Sequence, residues 1–241
     1  MRTRVSKLLR DKGYPDGGPT NECLALYWVT QVSWFLSVFL LLKYGTVLSA
    51  LFMGYTAALG GAFGHNWVHI PKYKWMAHLC LDIQGFSSDG WFREHNLQHH
   101  MYTNTPWDNH YHGTDPWLVT EPTKPRHFLQ KYVTPFLNPI ILSFGVIGNY
   151  LAHLTELLQG REKFTLFKLG LPLTIASTIY TWGLSWGGLL MYINFSCIGI
   201  YYFTLALMNH NAEHVTRSVD KRNKAQDWGE AQLHSSADWG V

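Results

Sequence analysis

Residues 169–208 read LGLPLTIASTIYTWGLSWGGLLMYINFSCIGIYYFTLALM and carry no charged side chain. Roughly 20 helical residues cross a bilayer core of about 30 Å, so this run is long enough to cross twice. A turn must then join two antiparallel helices, and the glycine- and tryptophan-rich stretch 182–188 is the natural place for it. The run therefore predicts two membrane spans, at about 169–185 and 188–208.

Three further runs of the sequence lack charge. Two of them, 24–42 and 46–64, have the length of single spans. The third, 133–152, contains Pro135 and Pro139, which disturb a regular helix, and amides that are costly in hydrocarbon. We expect this third run to be a membrane-surface segment. The chain is thus predicted to be an all-α integral membrane protein with four spans, in one domain over residues 1–241.

The composition of the chain supports this class and excludes others. Only 15% of the 241 residues are charged, and 11 are tryptophan. The net charge of +3 comes without a dense Lys/Arg block, so no nucleic-acid partner is expected. Cys23, Cys80 and Cys197 are scattered, which argues against a disulfide framework and against a thiolate zinc site.

The charges that flank the spans predict their orientation. Five basic residues precede the first span, whereas only Lys43 lies between the first two and none lies in the 182–188 turn. Lys and Arg collect on cytoplasmic flanks, so the N-terminus is expected in the cytosol and both short turns in the lumen. The residues that follow the second and fourth spans then emerge on the cytosolic side.

Histidines are concentrated at those two points of emergence. His65 and His69 follow the second span, His95, His99 and His100 come thirty residues later, and His210 and His214 follow the fourth span. Each group contains a pair four residues apart, which share one face of a helix. The other six histidines (His78, His110, His112, His127, His153 and His234) lack such partners, and we expect them at surfaces, loops or interfaces.

Seven clustered imidazoles predict a metal centre. Imidazole suits iron, zinc and copper, and spacing alone does not choose among them. The absence of HExxH argues against a zinc protease. Because a site with two histidines and one carboxylate needs fewer rings, seven donors favour two metal ions, and iron that activates dioxygen is the natural use at a membrane surface. A histidine-rich zinc transporter would carry acids and histidines within its spans, which these spans lack.

The same motifs resemble the histidine boxes of membrane-bound fatty acid desaturases. HNWVH (65–69), HNLQHHMYTN (95–104) and NHNAEH (209–214) are similar to boxes of the cytochrome b5-dependent acyl-lipid type. GTDP (113–116) and DWGEAQLHSSADWG (227–240) are similar to segments that follow the second box and precede the third. The resemblance implies four spans and a histidine-rich cap with two irons at the cytosolic face of the endoplasmic reticulum. It also implies that the irons are bound by His65, His69, His95, His99, His100 and His214, with His210 joining His214 as a further ligand.

Two departures from this pattern stand out. The third box, which reads like Gln-x-x-His-His, is missing, and the chain ends at Val241 about where the approach to it begins. We therefore expect a C-terminally incomplete domain. No His-Pro-Gly-Gly haem motif occurs either, so we expect either that the electron donor, cytochrome b5 or an equivalent, is a separate protein or that an upstream domain is absent from this chain.

The resemblance implies an oxidoreductase of lipid metabolism that uses O2 to introduce a double bond into a fatty acyl chain, linked to a lipid or to CoA. Alternatives are a fatty acid or sphingolipid hydroxylase, a sphingolipid desaturase, or a catalytically inactive truncated relative. Near the boxes, Glu94, Asp89, Asp115 and Glu213 could orient imidazole N–H groups. Trp67, Trp75, Trp91, Phe92 and Trp107 could line the mouth of an acyl tunnel or anchor the protein at the interface.

Overall fold

The computed structural model describes residues 2–13, 18–103, 107–110, 115–119 and 124–205. Its described residues form helices and no strands. The α-helices are α1 (Arg2–Asp11), α2 (Asn21–Tyr44), α3 (Val47–Trp67), α4 (Lys74–Leu81), α5 (Ser88–Trp91), α6 (His100–Tyr102), α7 (Phe128–Tyr132), α8 (Thr134–Leu158) and α9 (Gly170–Ile198). Short 3₁₀ turns lie at Pro71–Tyr73, Asp82–Gln84 and Leu166–Leu169, and π-helical segments at Phe92–His99 and Gly199–Phe203.

Helices α2 and α3 form an antiparallel hairpin with a two-residue turn. The Thr20 hydroxyl caps α2 by accepting from the Cys23 amide, and Thr46 forms a reciprocal capping box with Ser49 at the start of α3. Gly45 ends α2 in the left-handed conformation, which glycine adopts without steric cost. These local signals explain why the uncharged runs 24–42 and 46–64 became two helices with a sharp boundary between them.

Helix α9 reverses direction at Gly183, where φ is 76° and ψ is 162°. Gly187, on the second arm, packs against the backbone of Thr178 on the first arm. The indole N–H groups of Trp182 and Trp186 donate to the carbonyls of Leu41 and Gly45, at 3.0 and 2.8 Å. The chain therefore turns within the predicted stretch 182–188, and this turn lies beside the α2–α3 turn.

A substitution at Gly45 tests this contact between the two turns. A Cβ at Gly45 would overlap the Trp182 ring, and the left-handed φ of 56° strains any L-residue with a side chain. We expect Gly45→Ala to lower the free energy of unfolding by about 1–3 kcal/mol. Thermal unfolding of detergent-solubilised protein measures this. Gly188→Ala is the matched control, because nothing lies within 4 Å of its added Cβ; equal melting temperatures of the two variants would contradict the expectation.

Helix α8 is continuous despite its prolines. Pro135 lies in the first turn, where the missing N–H costs nothing, and Pro139 removes one hydrogen bond near the start. The sequence predicted that the prolines would disturb a regular helix here, and the segment is more regular than that prediction. Its expected position at the membrane surface stays a prediction.

Four helical segments of the described chain are long and apolar enough to cross a membrane. They are Asn21–Tyr44, Val47–Trp67, Thr134–Leu158 and Leu166–Phe203, the last of which contains the reversal at Gly183. Large apolar side chains cover their outer surfaces, for example Leu48, Phe136 and Tyr180, which are 76%, 84% and 93% exposed. In water such a surface would drive aggregation, so the helices are suited to lipid contact. The protein is an all-α membrane protein.

Candidate metal centre

Histidines from separate segments of the chain meet at one end of the α2–α3 hairpin. His65 lies in the last turn of α3 and His69 just after it, while His95, His99 and His100 lie on the π-helical segment and α6. The Asn96 side chain donates to the Val68 carbonyl at 3.1 Å and so fastens the second segment to the first. The two histidine groups that the sequence separates by about thirty residues are therefore neighbours.

The first metal-binding group consists of His65, His69 and His95. Each offers a ring nitrogen, and the three nitrogens lie within 4.8 Å of one another. The His95 ring centroid is 4.3 Å from that of His65 and 5.1 Å from that of His69. His95 is 5% exposed, so the centre of this group is shielded from water.

The π-helical backbone decides where His100 points. A π-helix bonds residues five apart, and the His100 amide donates to the His95 carbonyl. His95 and His100 therefore share a face, and their Nε2 atoms are 3.0 Å apart. The His100 Nε2 also lies 3.4 Å from that of His69. On a regular α-helix the same two rings would have pointed in different directions, so the sequence spacing alone did not predict this pairing.

A second group that could hold a metal ion, called the second metal-binding group, contains a histidine expected from the sequence at a surface, loop or interface. His95, His99 and His110 also offer ring nitrogens within 4.8 Å of one another. The His110 ring stacks on His99 with centroids 4.8 Å apart and on His95 at 5.4 Å. His110 has no histidine partner at spacing four, which is why the sequence did not single it out as a candidate ligand.

Asp108 is the carboxylate that orients a clustered histidine. Its Oδ1 accepts from His99 Nδ1 at 2.9 Å, and its side chain is fully buried. Holding the proton on Nδ1 leaves the His99 Nε2 lone pair for a ligand.

The acids named from the sequence as orienting residues contact other side chains. Asp89 pairs with Lys74 at 2.9 Å and Asp115 with Lys124 at 2.6 Å. Burial raises the pKa of Glu94, which lies near Arg93 and His153. Glu213, like His210 and His214, lies outside the described residues.

The clustered histidines are electrostatically suited to bind cations. Burial, followed by the neighbouring imidazoles, lowers the pKa of His100 to about 4, and the same causes lower the pKa of His69 and His95. These rings are therefore neutral at pH 7 and keep a lone pair. The His95 Nδ1 is buried without a hydrogen-bond partner. Neutral imidazoles that converge around the buried His95 and His99 fit a first-row transition metal, and His69 and His100 lie on the exposed side of the cluster.

A buried polar network lies beside this centre. Glu162, whose side chain is 1% exposed, contacts His153 at 3.1 Å, Lys168 at 2.8 Å and Arg93 at 3.3 Å. The Ser87 hydroxyl also donates to it, at 2.5 Å. His153, expected from the sequence at a surface, loop or interface, is buried against Glu162. The network joins the histidine-bearing segment to the start of α9.

His78, Asp82 and Ser88 do not form a nucleophilic triad. The Asp82 carboxylate and the Ser88 hydroxyl both face the same ring nitrogen, Nδ1, of His78, at 2.8 and 2.6 Å. A base must accept from the nucleophile on one nitrogen while it donates to the acid from the other. Burial alone would raise the pKa of Asp82, but hydrogen bonds from His78, Ser88 and Thr165 lower it. This trio therefore joins segments of the fold together.

The aromatic residues near the histidines divide into two kinds. Trp91 contacts the rings of His65, His95 and His110 at 6.3, 5.4 and 5.1 Å, and Tyr202 contacts Trp91 at 5.9 Å. The others named from the sequence have other surroundings: Trp67 is in the core, and Trp75, Phe92 and Trp107 are exposed.

Comparison with curated proteins and comparison with solved structures gave no match. The sequence model of one family, the fatty acid desaturases, matches residues 42–241. That range includes all six of the clustered histidines described above. Members of this family generally use iron, and the two histidine groups could hold metal ions. By this match over most of its length, the chain belongs to the fatty acid desaturase family.

Proposed function

We propose that this protein is an integral membrane desaturase that uses O2 to introduce a double bond into a fatty acyl chain. The observation that carries the proposal is the convergence of six imidazoles, from His65, His69, His95, His99, His100 and His110, at one end of apolar helices. A histidine-rich centre next to lipid-facing helices suits the oxidation of a membrane substrate. The family match supports the same chemistry.

The histidines would hold two iron ions, and bound iron would supply the oxidising power needed to remove hydrogen from an unactivated CH2 group. The chain itself holds the rings in place. Asp108 fixes the proton of His99 on Nδ1, so that Nε2 faces the centre. Burial of His95 and His99 keeps bulk water away from the reacting position.

The acyl chain would approach past Trp91 and Tyr202. Trp91 touches three of the clustered histidines, and Tyr202 touches Trp91, Phe86 and Phe203. These rings lie between the imidazoles and the apolar core of α3 and α9. They form a largely aromatic wall against which a hydrocarbon chain would lie.

Helix α8 would lie along the membrane surface on the histidine side. Before α8, residues 107–110 lie at the histidines. Near the end of α8 His153 packs against Gly90, and after α8 Glu162 packs against Gly90 and Gly170 packs against Ile83. Both flanks of α8 are thus on one side. A single crossing by α8 would need a second crossing between 110 and 134, and the described residues there hold no helix longer than α7.

The remaining topology follows the basic flanks. The N-terminus and the histidines would face the cytosol, in the endoplasmic reticulum membrane, with the turns at Gly45 and Gly183 in the lumen. Electrons would come from cytochrome b5 or an equivalent separate donor, as the resemblance to acyl-lipid desaturases implies. The substrate would be a lipid-linked or CoA-linked acyl chain.

Expression in a host that lacks the activity tests the proposed function. We expect unsaturated fatty acids to appear when saturated or monounsaturated ones are fed, and purified protein to hold iron. His65→Ala/His69→Ala should remove the product, because it removes two imidazoles of one metal-binding group. His127→Ala is the control, since His127 is an exposed residue at the start of α7.

Other products would separate the alternatives. Hydroxylated fatty acids would assign a hydroxylase, and unsaturation confined to sphingoid chains would assign a sphingolipid desaturase. Protein that folds but holds no iron and forms neither product would be the inactive relative. Any of these three outcomes overturns the proposed desaturation of fatty acyl chains.

A further inference from the structure

The segment Trp107–His110 is fastened to the histidine-bearing π-helical segment by its own hydrogen bonds. The Asn109 side chain donates to the side-chain oxygen Oε1 of Gln98 at 2.8 Å, and the Gln98 side-chain amide donates to the backbone carbonyl of Trp107 at 3.2 Å. Asp108, fully buried, contacts His99. The position of His110 beside His95 and His99 is therefore held by the residues on both sides of it.

One carboxylate oxygen of Asp108 accepts hydrogen bonds from two histidine residues. Asp108 Oδ1 accepts from the His99 ring at 2.9 Å and from the His110 backbone amide at 3.0 Å. The first contact sets the tautomer of His99, and the second sets the turn of the backbone from which the His110 side chain projects. A buried carboxylate that reaches both residues is well placed to set the geometry of a site built from them.

The distribution of nitrogen donors gives His110 a role. His95 belongs to both metal-binding groups, yet one neutral imidazole offers one lone pair. His100 lies beside the first group, with its Nε2 3.4 Å from that of His69. With His100 as a donor to the first ion, His95 would serve the second group. If His110 is counted with His95 and His99, the six described imidazoles divide evenly, with three for each ion.

The distances between the ring nitrogens of the second metal-binding group are close to those between imidazole nitrogens bound to one ion. Nitrogens about 2.0–2.1 Å from one ion in tetrahedral geometry are about 3.4 Å apart. The three nitrogens of His95, His99 and His110 lie within 4.8 Å. Small rotations of the side chains would bring them to a common ion without backbone movement.

We propose that His110 is a ligand of the second metal ion and that Asp108 is the positioning residue for both His110 and His99. This proposal rests on the proposed function only in assuming that the cluster holds two ions. It adds a ligand that none of the histidine motifs contains, from a loop between the second motif and Asp115.

Metal binding by the full chain tests the ligand. The protein, purified in detergent and treated with a chelator, is titrated with Co²⁺ alone, and the bound ratio and ligand-field absorption are recorded. We expect His110→Ala to lose about half of the bound Co²⁺ and the absorption of one site, because two nitrogens then remain for the second ion. His127→Ala should bind as the unsubstituted protein does. An undiminished Co²⁺ ratio with an unchanged spectrum in His110→Ala would overturn the proposal.

Two substitutions at Asp108 separate positioning from simple packing. The amide oxygen of Asp108→Asn can still accept from His99 and from the His110 amide, whereas Asp108→Ala can do neither. We expect Asp108→Ala to weaken Co²⁺ binding at one site by about 10- to 100-fold and Asp108→Asn to restore most of it. Wild-type affinity in Asp108→Ala would refute the positioning role, and so would an equal loss in both variants. Melting temperatures of the chelator-treated proteins report any change in packing separately.

The outcome is independent of product formation. If the unsubstituted protein binds two ions and His110→Ala binds one, the ligand assignment stands even when no unsaturated product forms. If product forms but His110→Ala keeps both ions, the ligand assignment alone fails.

Discussion

Replacing His95 with alanine should remove both metal ions and all product. In the proposed assignment His95 is a ligand of the second ion, together with His99 and His110. Its ring also packs against those of His65, His69 and His100, which would hold the first ion. Loss of this ring removes a direct ligand and also the surface against which five others pack. We expect metal affinity to fall by more than the roughly 10- to 100-fold typical of outer partners. Iron content of the purified protein and fatty acid analysis of the host measure the two effects.

The comparison with His110→Ala makes this prediction specific. His95→Ala should abolish both sites, whereas His110→Ala should abolish one. His95→Gln keeps a buried polar side chain of similar reach and distinguishes loss of ligation from loss of packing. If His95→Ala kept one full equivalent of metal, the central position of His95 between two ions would be wrong.

The second large effect is expected at Glu162. This carboxylate is 1% exposed and contacts His153, Lys168 and Arg93. Glu162→Ala would leave Lys168, whose side chain is 10% exposed, buried without its anion. Breaking a buried pair from one side costs about 3–5 kcal/mol, so the variant should be destabilised by that amount. Thermal or denaturant unfolding in detergent measures the difference.

Glu156 provides the matched control on the same surface. Its side chain is 28% exposed and pairs with Arg161 at 2.7 Å and with Arg93 at 3.5 Å. Exposed pairs contribute about 0–1 kcal/mol, so Glu156→Ala should change stability little. Equal losses in the two variants would show that burial of the Glu162 network does not set its contribution.

The same network predicts a dependence of stability on pH. Burial opposes the shift, but hydrogen bonds from His153, Lys168 and Ser87 lower the pKa of Glu162 from 4.5 to about 2. A carboxyl with a lowered pKa contributes its full stability above the unfolded value of 4.5 and loses it as the pH falls toward 2. The melting temperature of the unsubstituted protein should therefore fall across this window more steeply than that of Glu162→Gln.

The helices and the principal histidines were predictable because their signals are local. Long uncharged runs can only be buried in lipid or in a core, so α2, α3 and the two arms of α9 followed from composition. The turn near Gly183 followed from the length of its run. Histidines four apart share a helix face whatever the rest of the fold does, which brought His65 with His69 and His95 with His99.

The contacts between distant segments were not predictable in the same way. Nothing in the spacing of His110 distinguishes it from His112 or His127, and nothing marks Asp108 above Asp89 or Asp115. The π-helical backbone from Phe92 to His99 also has no simple sequence signal, yet it brings His100 onto His95. Each of these features depends on how a loop packs against a helix, which periodicity does not encode.

By itself, the sequence determined that this chain is helical, that its helices suit a membrane, and that imidazoles occur in groups at the ends of the apolar runs. Hydrophobic length and helical spacing are properties of a single segment, so they can be read without knowing its neighbours. Only the tertiary structure decided which imidazoles meet, that His110 and Asp108 join them, and that Glu162 ties α8 to the start of α9. Those choices arise from contacts between residues far apart in the chain, whose geometry is fixed by packing and by the need to satisfy buried polar groups.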